Sequence, residues 1–367
     1  MTLRQLTLLS FRNYERETMT FEENTNVIVG KNGEGKTNLL EGIFFLSGAK
    51  SFRSRFDKEL IGFDKQHAEI HAKVFLEQRE QEIIIRLGRG KKKELLLNGV
   101  KQKTSSDLAG KIKVVLFSPD DLQLIRGGAA ERRRMVDTCL SQLRPKYAVW
   151  LSEFQKLYEH KTRILKDHRE KPDLLQTLDD FNLRLAQVGA ELIFYRAAFL
   201  KKLAPIAKTV HQDFSGGLET LSLEYQTVGE VEDIQAKPAV IFEQLMQQQE
   251  RLREREIAAG MCLAGVQKDD VEVSINGITA RAFASQGQTR TAALSLKLAE
   301  RELMFEDTGE YPLLLLDDVL SELDQNRQDF VLNRIGNGQV FISCCEDKEI
   351  TARTGGTVVE IKQGQVV

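Results

Sequence analysis

The stretch from Gly30 to Thr37 reads GKNGEGKT, a glycine-rich run that closes with a lysine and a threonine. Glycines let backbone N–H groups turn inward onto an anion, and a helix that starts at the end of the loop adds its dipole. At this spacing Lys36 can reach the β and γ phosphates of a nucleotide, and the Thr37 hydroxyl can bind Mg²⁺. The run therefore predicts a nucleotide triphosphate site.

A second stretch with the residue types for this chemistry is LLLLDD, from Leu313 to Asp318. An aliphatic run suits a buried parallel strand, and Asp317 at its carboxyl end can hold the water shell of Mg²⁺. Asp318 then lies near the γ-phosphate, where a carboxylate can orient an attacking water. The alternative is a core strand ending in an exposed turn, which leaves the two adjacent acids unexplained.

A third stretch, SQGQTR from Ser285 to Arg290, stands before an amphipathic helix whose apolar face holds Ala292, Leu296 and Leu303. Alone it is typical of an N-capped helix start. A serine hydroxyl with free N–H groups at a helix N-terminus is also a receptor for a γ-phosphate. One molecule does not need two such receptors for one nucleotide, so we expect this turn to close over the nucleotide of a second subunit.

The elements that must position these residues follow from periodicity. NTNVIVG before the loop predicts a strand and KTNLLEGIFFLSG after it a helix, and short β runs with turns at GRGK and Asn98-Gly99 continue to residue 118. A 3.6-residue period then holds to about residue 260, with a helix of roughly 25 residues over 179–206 packed antiparallel on the preceding segment, and a strand pair near 216–229. Strands and helices alternate again to the end, which indicates a parallel sheet.

The simplest arrangement is one α/β domain built from both ends of the chain. Residues 1–118 form its N-terminal part, residues 119–260 an inserted helical lobe, and residues 261–367 its C-terminal part. The chain of 367 residues has no apolar run long enough for a membrane span and no signal-peptide core, so we expect a cytoplasmic protein without a membrane partner. Its four cysteines have no CxxC spacing, so neither a zinc site nor a disulfide framework is indicated.

The net charge of −2 means that nucleic-acid binding would need a local basic patch. Between Arg86 and Lys113 the chain has nine lysines and arginines against two acids. The candidates for DNA contact in it are Arg89, Lys91, Lys92, Lys93, Lys101 and Lys103. A solvated hairpin surface explains the same residues equally well.

Taken together, GKNGEGKTNLLEG, FASQGQTR and LLLLDDVLSELD resemble the ABC-type P-loop ATPase heads of chromosome-maintenance and break-repair proteins, and within that group the bacterial RecF family. Further pieces that resemble this family are FRNY at 11–14, KSFR at 50–53, the run from Val114 to Asp137, and SELD. They stand in the family's order over nearly the whole chain. The resemblance implies an α/β fold, an ABC-type head of mixed sheet and helices with an inserted, mainly α-helical lobe.

The resemblance also implies roles for particular residues. Asp317 of the Walker B motif and Thr37 would bind magnesium. Asp318 and Lys36 would be catalytic, as would Ser285, which acts in trans. Asp324 belongs to the D-loop. The implied nucleotide contacts are Gly30, Lys31, Asn32, Gly33, Glu34, Gly35, Lys36, Thr37 and Asn38 of the loop, Arg12 and Asn13 from the first strand, and Ser285, Gly287 and Gln288 of the signature. The arginines 132–134 would couple nucleotide state to the lobe, or form a solvated helix turn.

As a function, the resemblance implies a recombination mediator that binds ATP, Mg²⁺ and DNA. ATP would join two subunits into a homodimer that clamps DNA at gaps or single-strand/duplex junctions, and slow, DNA-stimulated hydrolysis would release it. RecR and RecO would be its partners, in DNA repair, replication restart and SOS induction.

Two departures from the wider ABC group point to slow hydrolysis. The usual catalytic glutamate is the shorter Asp318, and Ser343, Cys344 and Cys345 stand where a switch histidine would follow the VFIS strand. The Q-loop glutamine is also not evident, and Asp120 or Gln123 is the candidate replacement.

Two other functions fit parts of the sequence. The ATPase subunit of a membrane transporter would carry the same motifs on a more compact domain with a switch histidine. A small-molecule P-loop kinase would leave the SQGQTR helix without a purpose.

Overall fold

The structure is a computed structural model that describes residues 1–48, 51–54, 56–104, 107–345 and 348–367. Lys50 of the KSFR segment lies outside the described residues. The strands are β1 (Thr2–Phe11), β2 (Tyr14–Thr20), β3 (Thr25–Val29), β4 (His67–Leu76), β5 (Arg79–Gly88), β6 (Glu94–Leu97), β7 (Val100–Lys101), β8 (Val114–Phe117), β9 (Leu221–Gln226), β10 (Asp270–Ile275), β11 (Ile278–Thr279), β12 (Leu313–Asp317), β13 (Val340–Cys344), β14 (Thr357–Lys362) and β15 (Gln365–Val366).

The helices are α1 (Lys36–Phe45), α2 (Gln123–Arg126), α3 (Ala129–Leu143), α4 (Pro145–Asp167), α5 (Leu178–Phe214), α6 (Pro238–Ala259), α7 (Ala280–Phe283), α8 (Gln286–Thr308), α9 (Gln325–Arg334) and α10 (Lys348–Thr354). Within the described residues, no helix combines the length and the apolar character needed to cross a membrane. The chain divides into two compact units, residues 1–122 with 293–367, and residues 123–292.

The first unit is built on two sheets. An antiparallel sheet has the order β2-β1-β4-β5-β6-β7, and a second sheet has the order β15-β14-β3-β13-β12-β8. In the second sheet β14, β3, β13, β12 and β8 run parallel, as the alternation of strands and helices predicts, and β15 is an antiparallel edge strand. The α/β fold with a mixed sheet is therefore confirmed.

The core of this unit lies on both sides of α1. The helix contacts β1 of the antiparallel sheet and β8, β12 and β13 of the parallel sheet. Its Leu39 and Ile43 are fully buried in one apolar cluster with Leu6, Leu315 and Phe341. Because α1 is apolar on most of its surface, it is covered from both sides, and its N-terminal end is fixed against the carboxyl ends of the parallel strands.

The second unit is mainly helical. Helices α4 and α5 run antiparallel, as periodicity predicts, since Tyr147 meets Arg196 near one end of the pair and His160 stacks on Phe181 near the other. Helix α5 has 37 residues and is longer than the predicted 25 or so. It continues past residue 206 because Ala207 and Val210 remain buried on the same face, and Pro205 does not end it.

A small antiparallel sheet, β11-β10-β9, completes the second unit. The strand expected near 216–229 exists as β9, but its partner is β10, about 45 residues further along the chain, and not a neighbour in a local pair. Residues 261–292, which the sequence analysis grouped with the C-terminal part of the α/β domain, therefore fall in the helical unit. The division at 292 lies within α8.

Candidate functional site

The phosphate loop lies between β3 and α1, where its motif requires a strand before and a helix after. Gly35, at the N-cap of α1, has φ +122°, a conformation that residues with a side chain rarely adopt. A Cβ at Gly30 would lie 2.3 Å from the carbonyl oxygen of Ile361 in β14. Two loop glycines are thus required, one by its dihedral angle and one by the close approach of a neighbouring strand.

The Lys36 side chain is buried and turns back into the loop. Its ammonium donates to the carbonyl oxygens of Gly30 at 2.6 Å and Lys31 at 3.1 Å. The sulfur of Cys345, which follows β13, is 3.8 Å away and also contacts Asn32. The loop thus folds around the one cation that its motif reserves for phosphate.

Asp317 meets Thr37 as the two motifs predict. The Thr37 hydroxyl donates to Asp317 Oδ1 at 2.9 Å, although the two residues are 280 positions apart. Ser343, at the end of the neighbouring strand β13, donates to the same oxygen at 2.8 Å. Burial raises the pKa of Asp317, and the hydrogen bonds from Ser343 and Thr37 oppose that shift.

Asp318 is held by the same serine. Its backbone N–H donates to Ser343 Oγ at 2.9 Å, and its φ of +53° marks a sharp turn directly after β12. Ser321 donates to its carbonyl oxygen at 2.9 Å and to its carboxylate at 3.0 Å. Ser343, one of the three residues that stand where a switch histidine would follow, therefore organises both aspartates from near the end of β13.

The turn between β1 and β2, and not the first strand itself, reaches the loop through Asn13. Its Nδ2 donates to the Glu34 carbonyl at 2.9 Å, and its Oδ1 accepts from Asn38 at 2.8 Å. Tyr14, which the sequence analysis did not single out, donates from its hydroxyl to the Gly35 carbonyl at 3.0 Å, and burial raises its pKa.

Arg12 lies beside Asn13 but is engaged elsewhere. Its guanidinium forms a bidentate pair with the buried Glu41, with both distances 2.8 Å, and donates to the Glu59 carbonyl. Asn38, a further predicted loop contact, accepts from Arg53 at 3.0 Å. In this structure Arg12 joins α1 to the turn between β1 and β2; its predicted contact with nucleotide stays a prediction.

The Ser285 turn is a capping box in the second unit. The Gln288 N–H donates to Ser285 Oγ at 3.2 Å, and the Ser285 N–H donates to Gln288 Oε1 at 2.9 Å. The Gln288 amide also donates to Glu219 at 2.9 Å. Ser285 is exposed, whereas Gly287 and Gln288 are partly buried, so the serine marks the accessible start of α8.

Asp324 is likewise a helix cap. Its carboxylate accepts from the Arg327 N–H at 3.0 Å at the start of α9. This backbone hydrogen bond is the leading cause that lowers the pKa of Asp324.

Arg132 and Arg133 do not belong to a solvated helix turn, whereas Arg134 is exposed. Arg132 is buried and makes a bidentate pair with Asp270 at 2.7 and 2.9 Å, Arg133 donates to the Asp269 carbonyl, and Arg134 pairs with Glu131. Burying a guanidinium is tolerated because its donors are satisfied. Arg132 and Arg133 therefore join the start of α3 to the start of β10.

The predicted basic patch lies in the turn between β5 and β6, on β7 and just after β7, and comprises Arg89, Lys91, Lys92, Lys93, Lys101 and Lys103. Three of the six are engaged. Lys101 pairs with Glu94 at 2.6 Å, Lys93 pairs with Asp57 at 3.2 Å, and Arg89 donates to the Lys65 carbonyl at 2.9 Å. Arg89, Lys91, Lys92, Lys101 and Lys103 are exposed, and among the described residues no side-chain hydrogen bond or ion pair engages Lys91, Lys92 or Lys103.

A glycine-rich loop before a helix, with a threonine hydroxyl bonded to an aspartate at the end of a parallel strand, defines a P-loop nucleotide site on an α/β fold. The chain belongs to the RecF/RecN/SMC N terminal domain family, whose profile matches residues 2–365. The family that the sequence resembles is thereby confirmed.

The chain is similar to proteins named DNA replication and repair protein RecF. That of Alkaliphilus oremlandii is 39% identical over 343 residues, which are 94% of this chain and 93% of the relative. That of Shouchella clausii is 42% identical over 346 residues, covering 94% and 92% of the two chains.

The chain is also similar to solved structures of RecF and of an Smc head domain. A structure of the recombination mediator protein RecF with ATP, described as part of the RecFOR pathway, has a TM-score of 0.90 and 32% identity and covers 100% of this chain and 97% of its own. The Smc head domain of Pyrococcus furiosus has a TM-score of 0.56 at 18% identity over 100% of this chain and 96% of its own, and it shares the fold.

Proposed function

We propose that this chain is a RecF-type DNA replication and repair protein, an ATP-binding recombination mediator whose ATP-driven homodimer holds DNA. Slow hydrolysis, stimulated by DNA, releases the dimer from gaps or single-strand/duplex junctions. The single observation that carries the proposal is the hydrogen bond between Thr37 and Asp317, because it joins the Walker A and Walker B motifs into one site.

The residues at this site suit ATP with Mg²⁺. A hydroxyl and a carboxylate are the hard oxygen ligands that Mg²⁺ prefers, and Thr37 and Asp317 supply both within 2.9 Å of each other. Lys36 and the loop N–H groups would hold the phosphates, and bound Mg²⁺ would neutralise charge on them. Asp318 would orient water, and Ser343 fixes the backbone from which its carboxylate projects.

The capping box supports the role of Ser285 in trans. The first-turn N–H groups of a helix lack intrahelical partners, and here the exposed Ser285 stands at that helix start. Its reciprocal bonds with Gln288 hold the turn rigid without covering it. In a dimer, the γ-phosphate of ATP bound at the second subunit's phosphate loop would meet this turn, and each subunit would complete the other's nucleotide site.

The relatives favour the mediator over the alternatives. Those with 39% and 42% identity are named as DNA replication and repair proteins, and the RecF structure with ATP is assigned to the RecFOR pathway. We accordingly include RecR and RecO as partners, a cytoplasmic location, and support of replication restart and SOS induction. These relatives do not support the alternative functions of a transporter ATPase or a small-molecule kinase.

The DNA contacts that we propose centre on the exposed lysines of the basic patch, Lys91, Lys92 and Lys103. Clustered cations displace the counterions of several phosphates, which gives affinity without sequence preference. Lys93 and Lys101 are engaged with Asp57 and Glu94, so they contribute less.

Sedimentation with and without ATP and Mg²⁺ tests the proposal. The wild type should dimerise only with ATP, and Ser285→Arg should stay monomeric because the added side chain fills the accessible turn. Ser152→Arg, at an exposed serine on α4, is the matched control and should dimerise normally. Ser285→Ala removes the helix cap, which costs about 1 kcal/mol of stability, but adds no bulk. It therefore distinguishes the effect of losing the cap from steric blocking. A wild type that remains monomeric with saturating ATP would refute the proposed switch.

A further inference from the structure

The C-terminal hairpin lies against the phosphate loop. Strands β14 and β15 are joined by Gln363 and Gly364, whose φ values of +50° and +75° form a two-residue hairpin turn. The Gly364 N–H donates to the Glu34 carbonyl at 2.9 Å, and the Gln363 N–H donates to the Glu34 carboxylate. The turn therefore holds one loop residue by both its backbone and its side chain.

The same carbonyl has a second donor, Nδ2 of Asn13 at 2.9 Å. The Glu34 oxygen is thus held by the first turn of the chain and by its last one. In a trans peptide the C=O and the following N–H point in opposite directions, and the described chain has no cis bond. Fixing the Glu34 carbonyl toward these turns therefore fixes the Gly35 N–H away from them.

The next peptide is fixed in the same way. Tyr14 donates to the Gly35 carbonyl, so the Lys36 N–H also faces away from the first turn. These two N–H groups belong to the part of the motif that binds phosphate. Preorganised donors bind more tightly because no ordering cost remains to be met on binding.

We propose that the C-terminal hairpin, through Gln363 and Gly364, positions the phosphate loop for ATP. The inference rests on the proposed ATP binding and adds two positioning residues from the other end of the chain. Gly364 is suited to this place by space as well as by its dihedral angle, since a Cβ there would lie 2.5 Å from the Asn13 carbonyl oxygen.

The main test compares two glycine substitutions. Gly364→Ala would push the hairpin off Asn13, whereas Gly309→Ala, at φ +74° with no atom within 4 Å of the added Cβ, carries the same backbone strain elsewhere. Calorimetric titration with ATP and Mg²⁺ should give an affinity about tenfold weaker for Gly364→Ala and within about twofold of wild type for Gly309→Ala. Equal affinities for the two variants would overturn the inference.

A structural readout without nucleotide accompanies the titration. Amide hydrogen exchange of the peptide covering residues 30–37 should be faster in Gly364→Ala than in wild type and unchanged in Gly309→Ala. Unchanged exchange in Gly364→Ala would contradict the proposed contact.

Glu34, which is partly buried, offers a second variant that does not strain the backbone, because its φ lies outside the left-handed region. Glu34→Ala removes the acceptor for Gln363 and should weaken ATP binding, whereas Glu34→Gln keeps an oxygen there and should restore most of the affinity. Equal affinity of Glu34→Ala and wild type would count against the role of Gln363. Wild type that does not bind ATP, or a Lys36→Ala variant that binds as tightly as wild type, would instead refute the proposed function.

Discussion

Ser343 is the residue through which the two aspartates of the site are held together. Its hydroxyl donates to the Asp317 carboxylate and accepts from the Asp318 backbone. A motif search starts from the charged residues and passes over such a serine. In the sequence it is marked only by its place at the end of VFIS, in the segment where the ABC group has a switch histidine.

Replacing Ser343 should therefore affect hydrolysis more than binding. We expect Ser343→Ala to slow ATP hydrolysis about tenfold or more, as is usual when a hydrogen bond to a metal ligand is lost. Ser343→Thr keeps the hydroxyl and should retain most activity. Phosphate release measured over a range of Mg²⁺ concentrations checks this, and Ser47→Ala, another buried serine that bonds only the Phe44 carbonyl in the structure described, is the control. Equal rates for Ser343→Ala and Ser47→Ala would contradict the assignment.

The stability of the protein should depend on pH in part through a single residue, His211. It is buried and bonded to Glu219, and burial lowers its pKa below the usual 6.5. The unfolded chain then takes up a proton at a higher pH than the native protein, so stability is full above about pH 6.5 and falls as the pH drops below it, by at most about 1.4 kcal/mol per pH unit.

Urea unfolding at about pH 7 and pH 5.5 measures this loss. The free energy of unfolding should fall less in His211→Gln than in wild type, because the titrating group is gone. His67→Gln, at an exposed histidine, should behave as wild type. A drop in His211→Gln as large as that of wild type would assign the pH dependence to other groups.

At the scale of elements, the helical unit is held by a buried ionic contact on α5. Arg196 makes a bidentate pair with Asp137 on α3, both distances being 2.9 Å, and donates to the Val266 carbonyl at 2.9 Å. Asp269 lies 3.4 Å away and accepts from Tyr225 and Thr227. One side chain thus joins α3, α5 and the segment before β10.

Arg196→Met should lower the free energy of unfolding by about 3–5 kcal/mol, because it removes the guanidinium that neutralises the partly buried Asp137 and the fully buried Asp269. Arg184→Met provides a control on the same helix, since Arg184 makes an exposed bidentate pair with Glu153. That variant should cost about 1 kcal/mol or less. Urea denaturation compares them, and similar costs for the two would disprove the buried network's role.

Local patterns predicted the elements near the site well. GKNGEGKT and LLLLDD carry their own strand, turn and helix signals, so the loop and the end of β12 are where the sequence placed them. Contacts between distant segments leave no such local signal in the sequence. The pairing of β9 with β10 and the bond from Gly364 to Glu34 join residues 44–54 and 330 positions apart, and only the folded chain displays them.

Charge patterns were harder to interpret for the same reason. Arg132 looked like part of a surface cluster, but its partner Asp270 is 138 residues away in the sequence. In the basic patch, Lys93 and Lys101 pair with acids and Arg89 donates to a carbonyl, so three of the six candidate cations are already engaged. Whether the cations of a charged run are engaged depends partly on acids outside the run, such as Asp57 for Lys93.

At the scale of the whole molecule, DNA binding should depend on salt through the exposed cations of the basic patch. Replacing Lys91 and Lys92 with Ala should weaken binding to duplex DNA and reduce the salt slope by roughly 2, because each phosphate contact contributes about 0.9. Fluorescence anisotropy at several salt concentrations measures both. Lys166→Ala with Lys171→Ala, two exposed lysines of the helical unit, is the matched control. An unchanged slope in the Lys91/Lys92 variant would exclude these residues from the DNA surface.

The strand that carries the phosphate loop has a further consequence for how the protein is made. β3 comes from residues 25–29, yet its two neighbours in the sheet are β13 and β14, from residues 340–362. During synthesis the ribosome must therefore deliver almost the entire chain before the loop acquires its flanking strands, whereas residues 123–292 can fold earlier. The nucleotide site is therefore the last part of the nascent chain to form. A chain truncated near its C-terminal end should fold its helical unit but should not bind ATP.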